Sequence, residues 1–166
     1  ITSRASTCEL ARSKKRTYQK LQHVVKVPKV YEVNHIPGYP VFLKPDIGQG
    51  SRGTLKTENY EQTTEALSKD PSLLIQEYLP GEEYTVDCFT DRHGELLYAE
   101  ARIRRRISNG ISVNAVPVSD EEFNKFAHKI NNSVDFRGVW FFQIKRDSLG
   151  ELTLLEIAPR VAGTMS

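Results

Sequence analysis

A Lys-Pro step followed by three glycines within six residues restricts this chain more than any other feature. The segment Phe42–Thr54 reads FLKPDIGQGSRGT. Pro45 biases Lys44 toward an extended backbone, as at the end of a strand. Gly48, Gly50 and Gly53 open backbone angles that other residues avoid. Successive amides in such a loop can converge on an anion, and Ser51 adds a hydroxyl. From the strand end, the Lys44 ammonium reaches the same anion as a point charge. The loop runs into Leu55-Lys56-Thr57, which reads as a second strand. No Gly-Lys-Ser/Thr follows, so the loop is not a P-loop. No helix follows it either, which disfavours a dinucleotide-binding turn. A strand–loop–strand flap is expected. A plain hairpin turn has the same composition, so the loop alone does not decide its use.

A second constraint lies downstream in VWFFQIKRDSLGELTLLEIAPR (Val139–Arg160). Val139–Lys145 and Glu151–Ile157 read as paired strands about a turn at Asp147–Gly150. Gln143 and Glu156 are polar in apolar strand surroundings, which calls for a partner or a function. Pairing of the strands can bring the two together. An amide oxygen and a carboxylate suit Mg²⁺, which keeps waters and shares nucleotide phosphates. Outward-facing, solvated positions are the alternative, and the alternation does not choose between them.

Between these segments lies SLLIQEYLPGEEYTVDCF. Leu73–Tyr78 reads as a buried strand, broken by Pro80-Gly81. Backbone groups along Gln76, Glu77, Tyr78 and Leu79 can meet a flat base. Glu77 or Glu83 can accept from an amino group or a ribose hydroxyl. A surface turn with solvated carboxylates is the alternative.

Taken in order, Lys44, the glycine loop, QEYLPGEEYTVD and FFQIKRDSLGELTLLEIAPR resemble the ATP-grasp superfamily. The similarity spans nearly the whole chain and is closest to its carbamoyl-phosphate-synthase-like and carboxylate–amine ligase branches. It implies an α+β fold in which two lobes with mostly antiparallel sheets grip ATP. Residues 1–78 would form the first lobe and 79–166 the second, within a longer protein. It also implies that Lys14 (in ARSKKRTY) and Lys44 contact phosphates beside Gly50, Ser51 and Gly53. Gln76, Glu77, Tyr78 and Leu79 would hold adenine and Glu83 the ribose. Gln143 and Glu156 would bind Mg²⁺, with Mn²⁺ as a substitute, and Arg160 would touch the transferred phosphate.

The implied reaction makes an acyl phosphate from a carboxylate and ATP, which an amine then attacks. Preorganised charge around the transferred phosphoryl group supplies the catalysis, and no protein nucleophile is needed. Two departures stand out. The family's usual Asn is Ala158 here, which puts a second metal in doubt. Gly163 replaces an arginine of the carbamoyl phosphate synthases, which disfavours phosphorylation of bicarbonate. A non-catalytic nucleotide-binding module is the other alternative.

In AEARIRRRISNGISV, Arg102, Arg104 and Arg106 share one face if Glu100–Ile107 is a strand. Arginine forks suit a carboxylate, so Arg102 is a candidate for the acid substrate. A solvated edge strand and a nucleic-acid patch are the alternatives. The net charge of only +2 and the lack of interleaved aromatics argue against nucleic acid. Cys8 and Cys88 form no pair at metal-ligand spacing. With no apolar run of spanning length and no visible leader, a cytoplasmic protein without membrane contact is expected. A homodimer is one assembly this allows. His23, His35, His93 and His128 have no partners at ligand spacing.

The remaining elements read as follows. Ser6–Val25 is a helix capped by Thr7, and Lys29–Val33 is a short strand. Asn59–Leu67 is a helix. Tyr84–Thr90 and Glu95–Ala101 form a hairpin. Asp120 caps a helix running to Asn131, with Phe123, Phe126, Ala127 and Ile130 inward.

Overall fold

A computed structural model describes residues 2–48, 50, 52–108 and 111–163, with backbone only for 105–108 and 111–115. The chain is α+β and contains two antiparallel sheets, as expected. Among the described residues no helix is long and apolar enough to cross a membrane.

The smaller sheet carries the flap. β1 (Val30–Tyr31), β2 (Val41–Pro45), β3 (Leu55–Thr57) and β4 (Leu73–Glu77) lie in the order β1-β4-β2-β3. Strands β2 and β3 flank the glycine loop and pair Val41 with Thr57 and Leu43 with Leu55. α3 (Tyr60–Lys69) follows β3, its first turn held by the Asn59 side chain, which accepts from Gln62 N. Val41, Leu43 and Ile75 form this sheet's buried core.

The larger sheet has the order β7-β6-β5-β8-β9. Its strands are β5 (Glu83–Thr90), β6 (Leu96–Ser108), β7 (Ile111–Val118), β8 (Gly138–Arg146) and β9 (Leu152–Ala158). One face meets α4 (Glu121–Asn131), and Asp120 caps that helix as expected. Tyr84, Val86, Trp140, Phe142 and Ile144 point into this core with Phe123, Ala127 and Ile130. Trp140 stacks on Phe136 at 4.0 Å. Its indole N–H donates to Thr90 Oγ1, which donates on to Asn131 Oδ1, so the buried polar atoms are satisfied.

The early helix is two helices. α1 (Ala5–Arg12) ends at Ser13, whose backbone is extended, and α2 (Lys14–Leu21) begins there. Ser13 Oγ accepts from Arg16 N and donates to Asp46 Oδ2 at 2.8 Å, while Lys15 N donates to Asp46 Oδ1 at 2.7 Å. The side chain of Asp46 thus occupies the start of α2 and breaks the helix. Thr7 is no cap; it lies inside α1 and donates to Asp135 O. Leu21 and Val25 are buried in the larger sheet's core, so these helices pack against that sheet.

Candidate functional site

The two sheets enclose a cavity of about 140 Å³. The small sheet contributes Lys44 from β2 and Gly50 from the loop, and α2, packed on the larger sheet, contributes Lys14 from its start. β4 contributes Gln76 and Glu77, and the connection after it Tyr78 and Leu79. Glu83, Gln143 and Glu156 close the far wall from β5, β8 and β9. Residues predicted from three distant segments therefore meet in one space.

Lys44 is a buried cation. Its side chain is only 6 % exposed, and its ammonium donates to Tyr18 Oη at 2.8 Å. Tyr18 Oη donates in turn to Leu155 O at 2.8 Å. Burial lowers the Lys44 pKa to about 7; the nearby Lys14 adds to the shift, and Glu156 and Glu83 oppose it. Burial also pulls Lys14 below the usual lysine range, against the attraction of Glu156 and Asp46. Lys14 Nζ donates to Asp46 O and Gly48 O, which fixes it beside the loop.

On the far wall, Gln143 and Glu156 are direct cross-strand partners, and a register shift follows them before Ile144. Alternation along β8 puts Trp140, Phe142 and Ile144 in the core, so Gln143 and Lys145 take the cavity face. Glu83 forms an ion pair with Arg104 and Asp87 with Arg102. Glu77 Oε1 is buried with no hydrogen-bond partner among the described residues.

Three predicted residues lie elsewhere. Arg102 does not line the cavity; its Nε donates to Asp87 Oδ2 at 2.7 Å, so its charge is already matched. The Arg160 guanidinium lies 5.0 Å from the centre of the Phe141 ring and donates to Val161 O. Gly53 has positive φ beside Pro45 and stands outside the cavity lining. Ser51 lies outside the described residues, as does the Arg106 side chain. The sequence reading missed Tyr18 as the support of Lys44, and Arg52, Lys145 and Leu155 in the lining. Only Lys145 carried a signal, being two residues from Gln143 on a strand.

The far wall offers a partial oxygen donor set for a divalent cation. Glu156 supplies a carboxylate and Gln143 an amide oxygen on one face. No cluster of three His, Cys, Asp or Glu suited to a metal occurs among the described residues. Two oxygens suffice for a Mg²⁺ that also takes water and phosphate oxygens. Ala158, opposite Phe141, offers no side-chain oxygen for a second ion.

A family model described as "ATP-grasp in the biosynthetic pathway with Ter operon" matches residues 69–166. A D-alanine–D-alanine ligase of Fusobacterium nucleatum subsp. nucleatum is 31% identical over 163 residues, covering 87% of this chain and 54% of the relative. The chain thus spans about half the length of that relative. Among solved structures, the biotin carboxylase domain of Hydrogenobacter thermophilus 2-oxoglutarate carboxylase, in complex with MgADP, ADP and bicarbonate, superposes with a TM-score of 0.81. It is 16% identical and covers 98% of this chain and 42% of that one. An L-amino acid ligase from Bacillus licheniformis gives 0.70 at 18% identity, over 95% and 42%. At these identities the likeness is one of fold.

Proposed function

This chain belongs to the ATP-grasp family, and on that premise we propose that it binds Mg-ATP between its two sheets and serves an ATP-dependent carboxylate–amine ligase. The observation that carries the reading is the cavity itself. Lys14, Lys44, Gln143, Glu156 and Glu77 all line it, and Glu77 Oε1 is buried without a hydrogen-bond partner among the described residues.

Glu77 Oε1 accepts the adenine amino group and backbone groups near Leu79 meet the ring edge. Glu83 holds the ribose. Lys14, Lys44 and the loop at Gly50 hold phosphates. Glu156 and Gln143 hold a single Mg²⁺, which when bound neutralises phosphate charge. A carboxylate oxygen of the acid forms a bond to the γ-phosphorus as the bond to the ADP oxygen breaks. The acyl phosphate then loses phosphate to an attacking amine, which gives up a proton. Lys44 and Arg160 offset charge during the transfer. A cytoplasmic location and a homodimer belong to the same proposal.

Calorimetric titration with a non-hydrolysable ATP analogue, with and without Mg²⁺, tests the reading. Mg-dependent binding that Lys44→Ala abolishes supports it. Binding unchanged in the variant overturns it. ADP release by the full-length protein with an acid and an amine distinguishes a ligase from a nucleotide-binding module.

A further inference from the structure

Beyond the cavity, the same face of the larger sheet continues as an ordered set of cross-strand rows. Arg102, Thr85, Gln143 and Glu156 form the row at the cavity. Glu100, Asp87, Phe141 and Ala158 form the next. Tyr98, Phe89 and Val139 form the third. Rows on one face are two residues apart, roughly 6.6 Å. The third row is apolar and open: Tyr98 is 44% and Val139 39% exposed.

Two arginines of this face are already matched. Arg104 pairs with Glu83, and Arg102 pairs with Asp87. Arg160 differs. It has no ion pair among the described residues and lies over Phe141, in the middle row. A carboxylate held there stands one row from Glu156, where the phosphate end of the cavity lies. Anything attached to it extends over the open apolar row.

We infer that the acid substrate carries one carboxylate and an apolar body. Arg160 takes the carboxylate at its junction with the phosphoryl group, and Phe89, Tyr98 and Val139 receive the body. A second carboxylate has no unmatched cation to meet in the third row, so leaving it there costs its desolvation. The Tyr98 hydroxyl donates to Glu100 Oε2 at 3.0 Å, which keeps the ring lying along this face. The inference rests on the ligase reading and deepens it.

The test is ADP release by the full-length protein with an amine present, across apolar monocarboxylic acids, including amino acids, and dicarboxylic acids. Wild type and Val139→Asp are compared, and analogue affinity is measured on both by calorimetry. Val139 is exposed, so the substitution leaves the core untouched. The expected result is a preference for apolar monocarboxylates, with KM for them raised roughly ten-fold or more in the variant and nucleotide affinity unchanged. Preference for dicarboxylates, or an unchanged KM in Val139→Asp, overturns the inference while the ligase reading stands. Tight nucleotide binding without ADP release for any acid overturns both.

Discussion

The Lys44 ammonium and the Tyr18 hydroxyl meet at 2.8 Å behind the cavity, joining a strand of the small sheet to a helix packed on the large one. Lys44 is thereby aimed from both sides of the cleft. Tyr18→Phe removes the acceptor for the lysine and the donor to Leu155 O. A buried polar group left unpaired costs about 1–3 kcal/mol. We expect a loss of that size in chemical denaturation, together with weaker binding of an ATP analogue.

Lys44 also sets a pH dependence. Burial holds its folded pKa at about 7, below its ordinary value of 10.5. Between these values the unfolded chain binds the extra proton, so the ligand-free protein gains stability as pH rises from about 7 to 10.5. Phosphate prefers the charged form. Triphosphate affinity therefore falls as pH rises through 7, and binding near pH 7.5 takes up protons (calorimetry in buffers of different ionisation enthalpy reads this directly). Lys44→Met removes both effects; their persistence assigns them to another group.

Glu77 Oε1 is buried and lacks a hydrogen-bond partner among the described residues. It asks for a donor, which adenine's amino group supplies and the oxygen of hypoxanthine does not. Adenine nucleotides should bind more tightly than inosine nucleotides by about 1–3 kcal/mol. Glu77→Ala should narrow that difference in competition titrations. Equal affinity of the wild type for both bases rules out this role.

The metal wall makes opposite predictions for two substitutions. Glu156→Gln removes the carboxylate facing Gln143 and should lower Mn²⁺ affinity of the nucleotide complex by an order of magnitude or more. Ala158→Asn adds an oxygen on the same strand face and should tighten Mn²⁺ binding or raise its stoichiometry. Electron paramagnetic resonance of free Mn²⁺ measures both without turnover.

Gly81 lies in the hinge, the connection between β4 and β5. A Cβ there would lie 2.7 Å from both Cβ and O of Arg146, while Gly81 N donates to that same oxygen at 3.0 Å. Overpacking of this kind costs about 1–3 kcal/mol. Gly81→Ala should lower stability by that amount in urea denaturation; an unchanged midpoint would show that the hinge yields freely.

The glycine-loop flap, the β8–β9 hairpin and the Asp120 cap were legible because each is local: punctuation, alternation and one capping side chain define them. The pairing of Gln143 with Glu156 was foreseen only as a possibility, since register depends on where the strand shifts. Arg102 and Arg104 read as free forks; only the cross-strand register places Asp87 and Glu83 within reach. The break at Ser13 is not legible locally, because its cause, Asp46, lies 33 residues away. β7 follows Asn109-Gly110, a strong hairpin signal in the sequence, and its Pro117 suits the edge position that the strand occupies.

The two cores are unequal, and the smaller sheet rests on Val41, Leu43 and Ile75 among its described residues. Little apolar burial means a low free energy of local opening. Amide hydrogens of β2 and β4 should therefore exchange well before those of β5 and β8. A ligand seated on the flap excludes this opening, adding about 2.7 kcal/mol of protection at a hundred-fold excess over its Kd. The small sheet then takes much of its order from what it holds, and hydrogen exchange reports the occupancy of the cleft.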